Sequence, residues 1–509
     1  MHAKHLLATI IVLLAPLALA AQLLPPHRRV APAPRLTPEV QRIRQERTPF
    51  RVTAAPDVQL PPSVDNSQTR FFPPLINQTG GSCAQAAGIG YMMTYELNRL
   101  LQRDASHPEN RLSYLFIWNF INEGEDQGSF VEEGLQIAKG YGVMSEADFG
   151  TPGLTFYKWA TGYELYERAM HNRATEILAF DDSINTIKRY LYDAGRDEHP
   201  GGVLTYSTDA TGWEFDLNYS GPSATGYHCL QTRLGYDGPH ALTIVGYDDL
   251  VTYTDDLGVT HTGAFIVCNS WGDYYYHDRG RFYLAYDFFR DPTISPGTLS
   301  NRLNGVRVST YEPEVICHVG FSYTSRDDLT FGMIATPDRH VTSPSTAPIY
   351  SPIFRHQGGD FNMQGQFRQA EMDMAIDFTT SNPDTIQKYF LSIFATPYGK
   401  KTGSGQLTSL EVIDQRGDTP VHYPYRAALP VNIHRSNNLF PIPLTSLFEL
   451  PVSPFNWMGA SSGTTSAGSA SAGSTAATFL LRTAGGRPAK MQIQHSEDNP
   501  HVVSIRYAL

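Results

Sequence analysis

The residue of this sequence best placed to do chemistry is Cys83. It is one of only four cysteines in 509 residues, and it follows Gly80-Gly81-Ser82 and precedes the apolar run AQAAGIGYMM. A thiol is a strong nucleophile only as the thiolate, and a helix N-terminus beside an imidazolium can lower its pKa to about 3–4. The glycine turn allows a sharp change of direction, and the run behind it reads as a helix whose first N–H groups favour an anion. The imidazole is offered by His240, at the head of HALTIVGYDD, and 29 residues further on Asn269 opens NSWG. Both stretches read as strand segments, so one antiparallel pairing places a base beside a residue able to orient it.

The chain as a whole limits what else the thiol can be. A net charge of -11 argues against a phosphate-binding surface, so nucleic acid is not expected as a partner. Hydrophobic residues at 41% and charged residues at 17%, with abundant Gly, Pro and Tyr, describe a loop-rich globular protein long enough for two domains. The opening MHAKHLLATIIVLLAPLALAAQ has Lys4, an apolar run to Leu19 and small residues at Ala18 and Ala20, which is the pattern of a secretory signal over residues 1–20. That run is shorter than the roughly 20 apolar residues of a spanning helix, and Pro16 interrupts it, so no membrane span is expected. The protein is therefore read as secreted or otherwise extracytoplasmic, in the periplasm or at a cell surface. There the four cysteines Cys83, Cys229, Cys268 and Cys317 could form two disulfides, which is the bland account of Cys83. No cofactor and no metal is expected.

The elements that must position these residues can be read from periodicity. Residues 21–59, rich in Pro and Arg, read as a linker or short pro-segment that carries little fold. Apolar residues recur at helical spacing from Tyr91 to Leu101 and across SFVEEGLQIAKGYGV, from Ser129 to Val143. HALTIVGYDD and GAFIVCNSWG are strands, separated by a polar loop, LVTYTDDLGVTHT. Beyond about Ser309 the texture changes to short β-type runs such as VICHVGFSY, MDMAIDF and KYFLSIFATPY, the mark of an all-β, sandwich-like domain. It is placed at 309–458 and expected to be separable from catalysis. A Gly/Ser/Ala-rich stretch at 459–478 reads as a linker, and 479–509 resumes strand-like alternation.

The ordered set Gln78, Cys83, His240, Asn269 and Trp271 resembles the papain-like cysteine proteases, whose motifs run Gln, Cys, His, Asn with a Trp two places after the Asn. LPPSVDNSQTR, from Leu60 to Arg70, is similar to the mature N-terminus of that family, and the likeness covers roughly 60–290, within an expected protease domain at 60–308. The resemblance implies an α+β fold with a two-lobed catalytic domain, a helical lobe plus a β-barrel-like lobe, and a secreted, bacterial-type member with a C-terminal β domain. It also implies roles. Cys83 attacks the scissile carbonyl, His240 shuttles the proton, Asn269 orients the imidazole, and Gln78 with the Cys83 N–H forms the oxyanion hole. Trp271 shields the His–Asn hydrogen bond. DQGSFVEEG resembles the segment that binds substrate backbone, which places Gly128 and Ser129 in the cleft, and Ala241 matches a small residue lining the pocket for the second substrate residue. Protein or peptide substrates follow, with the β domain binding a substrate, a partner or a cell surface.

Departures from the pattern are specific. The usual Cys-Gly-Ser-Cys-Trp is Gly-Gly-Ser-Cys-Ala here, so the upstream half-cystine is lost at Gly80 and Ala84 replaces the bulky residue after the nucleophile. Gln78 lies one position closer to the cysteine than usual, Pro239 directly precedes His240, and residues 21–59 are too few and too Pro-rich for the long helical pro-domain of that family. The missing bulky residue after Cys83 and the shortened Gln78 spacing keep a non-catalytic binding module in view. Transglutaminase-like acyl transfer also uses Cys and His in that order, but it needs an Asp where Asn269 stands.

Overall fold

Gly80 adopts φ +52° in the computed structural model, and there the chain turns into a continuous helical rod. The rod consists of the α-turn Cys83–Gln85, the π-helix Ala86–Met93 and the α-helix Thr94–Leu101. The small residues behind Cys83 let other backbone come close. A Cβ at Gly88 would lie 2.9 Å from Val131 Cγ1, and one at Gly90 would lie 2.6 Å from Ile76 Cδ1. The helix Val131–Gly140 and the segment before Cys83 therefore pack directly on the rod. Tyr91, fully buried, stacks on Phe72 with ring centroids 5.2 Å apart.

The structure describes residues 34–53, 58–150, 157–181, 183–211, 214–216, 219–220, 230–233, 237–255, 257–273, 279–287, 303–354, 358–399 and 402–444. It also describes the backbone of the strands Ala476–Arg482, Pro488–His495 and Val503–Ala508. The signal expected at 1–20, Cys229, and most of the low-complexity stretch at 459–478 lie outside the described residues. No helix among the described residues is long and apolar enough to cross a membrane.

Facing the rod is a ten-stranded sheet. Its centre is the strand Asp237–Thr254, paired antiparallel with Leu204–Thr211 on one side and Thr260–Cys268 on the other. The path runs outward through Leu303–Thr310 and Asn172–Ala179 in one direction and through Arg281–Ala285 and Leu230–Arg233 in the other. Among the described residues no pairing closes this path into a barrel. The stretch LVTYTDDLGVTHT, expected to be a polar loop, is mostly strand: Thr252, Tyr253 and Thr254 pair with Thr262, His261 and Thr260. The loop shrinks to a tight turn because the Asp255 carboxylate accepts the N–H groups of Leu257 and Val259 at 2.9 Å. Alternating Thr, Val and Tyr then favour the pleat on either side.

Part of the segment read as a linker or short pro-segment is folded. Thr37 caps the helix Pro38–Gln45, which buries Val40 and Ile43, and Thr48–Pro49 pairs in parallel with Leu178–Ala179. Arg47, buried, donates to Asn304 Oδ1 at 2.8 Å.

After Thr310 the described chain forms strands joined by turns and short 3₁₀ helices. Val315–Tyr323 lies between Glu371–Asp377 and Gly405–Asp414 in one antiparallel sheet, and Leu329–Thr336 and Lys388–Ala395 form the middle of a second. Phe321 of the first sheet meets Phe331 of the second at 4.9 Å. The boundary expected at 308/309 falls inside the strand Leu303–Thr310, which belongs to the ten-stranded sheet. Beyond it the second half packs intimately on the first. Tyr141 donates its hydroxyl to Ala375 O at 2.5 Å, and Arg173 pairs with Asp377 at 2.6 Å. The fully buried Arg326 stacks its guanidinium on Trp159 at 4.3 Å and donates to Tyr157 O at 2.8 Å. Residues up to Leu444 form one compact unit, and 445–509 form another, of which three antiparallel strands are described.

One hydroxyl joins the rod to both segments that carry the candidate chemistry. Tyr91 Oη accepts the Ile76 N–H at 2.6 Å and donates to Asn269 O at 3.0 Å. Replacing Tyr91 with Phe removes the hydroxyl from the half-buried Ile76 N–H and leaves Asn269 O with the weak Cys268 Sγ contact at 3.8 Å, where an unsatisfied buried group costs about 1–3 kcal/mol. Urea unfolding of Tyr91→Phe is expected to show a loss of about 1 kcal/mol or more. A loss below about 0.5 kcal/mol, the level of an indifferent substitution, would deny the hydroxyl this role.

Candidate active site

Strand register places the imidazole. Thr208 lies opposite His240 on one side of the central strand, and Thr243 lies opposite Cys268 on the other. Continuing the second register three residues past Cys268 brings Trp271 opposite His240. The two rings stack with centroids 4.4 Å apart and planes at 22°. His240 Nε2 and Asn269 Oδ1 are 2.9 Å apart, and Asn269 is completely buried. Oδ1 also accepts the Ser270 N–H at 2.8 Å, which identifies it as the acceptor end of the amide. The proton of the His–Asn bond therefore sits on Nε2, and Nδ1 keeps the lone pair that a base needs. Asn269 is anchored in turn by its main chain, whose N–H donates to Gly280 O at 2.9 Å while its carbonyl accepts the Tyr91 hydroxyl at 3.0 Å.

Cys83 is half-buried at the head of the rod and is not disulfide-bonded. The backbone N–H groups of Ala84, of Cys83 itself and of Ala241 act on its sulfur. Ala241 is the residue after His240, so the head of the rod meets the histidine strand. Ala241 is buried there, as a pocket wall would be.

Burial works against charge on both groups. Desolvation pushes the Cys83 thiol up despite the three N–H groups that favour the thiolate. Desolvation likewise brings His240 down to about 4, and the bond to Asn269 only partly offsets it. The low-pKa thiolate that the sequence leads one to expect is therefore opposed by the dryness of the site. An ion pair here has to be stabilised by mutual contact of its members, so that the titration belongs to the pair.

Gln78 is buried and held at three points. Its N–H donates to Ser270 O at 2.7 Å, its Oε1 accepts the Ser270 hydroxyl at 2.6 Å, and its Nε2 donates to Gly80 O at 2.7 Å. An amide nitrogen carries two hydrogens, and the Gly80 bond uses one of them. Gly128 lies half-buried in an irregular segment, and Ser129 is buried with its hydroxyl accepting from Gln85 Nε2 at 3.0 Å. Ser129 is thus fastened to the rod by its side chain, and its backbone is what can meet a ligand.

Sequence reasoning missed four residues that support this arrangement: Tyr91, Gln85, Ser270 and Asp126, whose carboxylate accepts the Gly81 N–H at 2.6 Å. Ser270 and Asp126 stand inside the quoted motifs NSWG and DQGSFVEEG, but nothing in their type distinguishes them from turn formers. No group of three or more His, Cys, Asp or Glu among the described residues is placed to hold a metal ion.

No protein-family model matches the chain, and no curated protein matches it. Among solved structures it is similar to procathepsin L 3 of Tenebrio molitor larval midgut, at 15% identity over 52% of this chain and 74% of that one, with a TM-score of 0.33. It is also similar to proCathepsin B S9 from Trypanosoma congolense, at 13% identity over 56% and 87% of the two chains, with a TM-score of 0.36. A recombinant stem bromelain precursor matches at 18% identity over 54% and 81%, with a TM-score of 0.34. At these values the likeness assigns no family. What the site can do is set by its own geometry.

The dry imidazole has a measurable signature. In the folded chain His240 stays neutral down to about pH 4, whereas an unfolded imidazole protonates near 6.5. Above pH 6.5 both states are neutral and nothing is lost. Between 6.5 and about 4 the unfolded chain gains a proton that the folded chain refuses, so stability falls as pH falls. Between pH 7 and 4.5 wild type should lose about 2–3 kcal/mol more unfolding free energy than His240→Gln, read by urea denaturation. Parallel losses in the two proteins would mean that His240 is not held neutral by burial.

Proposed function

We propose that this chain is a cysteine peptidase of the papain-like kind. The observation that carries the reading is the bond of 2.9 Å from buried His240 Nε2 to Asn269 Oδ1, roofed by Trp271, on a strand that packs against the turn holding Cys83. It is the arrangement that orients a base toward a nucleophile, independent of any likeness between chains.

In this reading the substrate carbonyl seats beside Cys83, and His240 Nδ1 takes the thiol proton as the sulfur attacks. The carbonyl oxygen becomes an oxyanion held by the Cys83 N–H and the remaining Gln78 Nε2–H, one such donor being worth about 3–4 kcal/mol. Collapse breaks the C–N bond as the imidazolium returns its proton to the leaving amine, giving a thioester on Cys83. Water, deprotonated by His240, then releases the acid and restores the thiol. Asn269 keeps the ring in register through both proton transfers. Gly128 and Ser129 would bind substrate backbone, and Ala241 would line the adjacent pocket.

The ten-stranded sheet would serve as the barrel-like lobe, and the two antiparallel sheets after Thr310 as a sandwich-like partner. Protein or peptide substrates outside the cytoplasm fit the reading of residues 1–20. A second reading, a catalytically impaired binding module, draws on the burial that keeps Cys83 and His240 neutral.

A peptidyl epoxide separates the two. It requires an oriented, activated thiol, and mass spectrometry is expected to find it on Cys83 and on no other cysteine. His240→Ala should slow that labelling at least 100-fold, and Cys83→Ser should abolish peptide hydrolysis. A wild-type protein that binds peptide yet is neither labelled nor hydrolytic would establish the binding module instead.

A further inference from the structure

The turn that presents Cys83 is held by a carboxylate from the segment leading into Gly128. Asp126 Oδ1 accepts the Gly81 N–H at 2.6 Å, and it lies so close to Gly80 that a Cβ there would overlap it. Gly80 is also the position where the papain-like pattern has its half-cystine, so a hydrogen bond stands at the point where a covalent tie has been lost. Asp126 is two residues before Gly128. One contact therefore joins the nucleophile turn to the segment expected to bind substrate backbone.

The turn that carries Asp126 is braced from the second half of the unit. Glu125 N donates to Asn122 O at 3.0 Å, and Gly124 N donates to Asn122 Oδ1 at 2.9 Å. Gly124, at φ +70°, lies flat against a loop of the second half: a Cβ there would sit 2.5 Å from Phe361 Cε2 and 2.8 Å from Gly359 Cα. That loop is itself fixed by Arg326, whose Nε donates to Gly358 O at 2.6 Å and whose N–H donates to Phe361 O at 2.9 Å.

We propose that Asp126 is a positioning residue that ties the nucleophile turn to the substrate-binding segment, and that the second half of the unit holds Asp126 in place through Gly359 and Phe361. The proposal rests on the peptidase reading. Asp126 touches no reacting atom. Its bond is charge-assisted, but the side chain is exposed, so its contribution to overall stability is small and its effect falls on geometry. A displacement of about 1 Å at a reacting group can lower a rate by about 100-fold. The strands after Thr310 are then part of the catalytic unit rather than a separable appendage, and a chain ended near Ser309 loses the brace.

The full-length chain is compared as wild type, Asp126→Ala, Asp126→Asn, Phe361→Ala and the double variant Asp126→Ala/Phe361→Ala, reading kcat and KM on a peptide, thermal midpoint and hydrogen exchange at the Gly81 amide. Asp126→Ala should lower kcat/KM by roughly 10- to 100-fold with little change in midpoint. Asp126→Asn, whose Oδ1 still accepts the Gly81 N–H, should stay within about 3-fold of wild type. Phe361→Ala should lower kcat/KM by a smaller factor, and the double variant should be no worse than Asp126→Ala, because Phe361 acts through Asp126. Gly81 exchange should quicken in every variant except Asp126→Asn. Multiplicative losses in the double variant would overturn the bracing, and an Asp126→Ala protein with wild-type kinetics would overturn the positioning role. If wild type hydrolyses no peptide, the peptidase reading has failed. Gly81 exchange then decides the tie by itself, and unchanged exchange in Asp126→Ala overturns it.

Discussion

The position of one buried amide, that of Asn269, governs this site. Its Oδ1 is the acceptor that fixes the His240 ring and places the ring proton on Nε2. Because both residues are buried, water cannot substitute for either partner, and the geometry must be supplied by the fold. Three separate elements supply it. The hairpin Asp237–Thr254/Thr260–Cys268 sets the register that stacks Trp271 on His240. Gly280 accepts the Asn269 N–H, and Tyr91, from the helical rod, grips its carbonyl. The same tyrosine accepts from Ile76, just upstream of Gln78, so the Cys83 rod, the Gln78 segment and Asn269 share one hydrogen-bonded frame.

That frame sets up an electrostatic conflict at Cys83. Three backbone N–H groups favour a thiolate, and the dryness that makes the His–Asn bond strong disfavours any charge. At Cys83 desolvation wins, and at His240 it also wins. Such a site holds little charge at rest, and on the proposed peptidase reading charge would arise only as proton transfer and attack occur together. That is the condition under which fixed donors such as the Gln78 amide contribute most.

Much of this was legible in the chain. Gly80-Gly81-Ser82 before small apolar residues announces a turn into a helix, HALTIVGYDD and GAFIVCNSWG announce strands, and the β-type runs after Ser309 are strands where they are described. What escaped was written in tertiary contacts. The helix Pro38–Gln45 lies in a Pro/Arg-rich stretch, and beside its local Thr37 cap it is held by burial of Val40 and Ile43. The strand Leu303–Thr310 returns to the first sheet across a boundary that composition places at 308/309. Asp126 looks like any loop acid until the fold brings it to Gly81, 45 residues upstream. Local pattern records propensity, whereas these features depend on partners far away in sequence.

The state of the His240 ring is the most direct gauge of the whole arrangement. Nitrogen-15 NMR of histidine in Cys83→Ala removes any pairing with the thiolate and leaves only burial and the Asn269 bond to act on the imidazole. The structure predicts a neutral ring protonated on Nε2 at pH 6, titrating near 4. A ring protonated on Nδ1, or one that titrates near 6.5 as a solvated imidazole does, would contradict it.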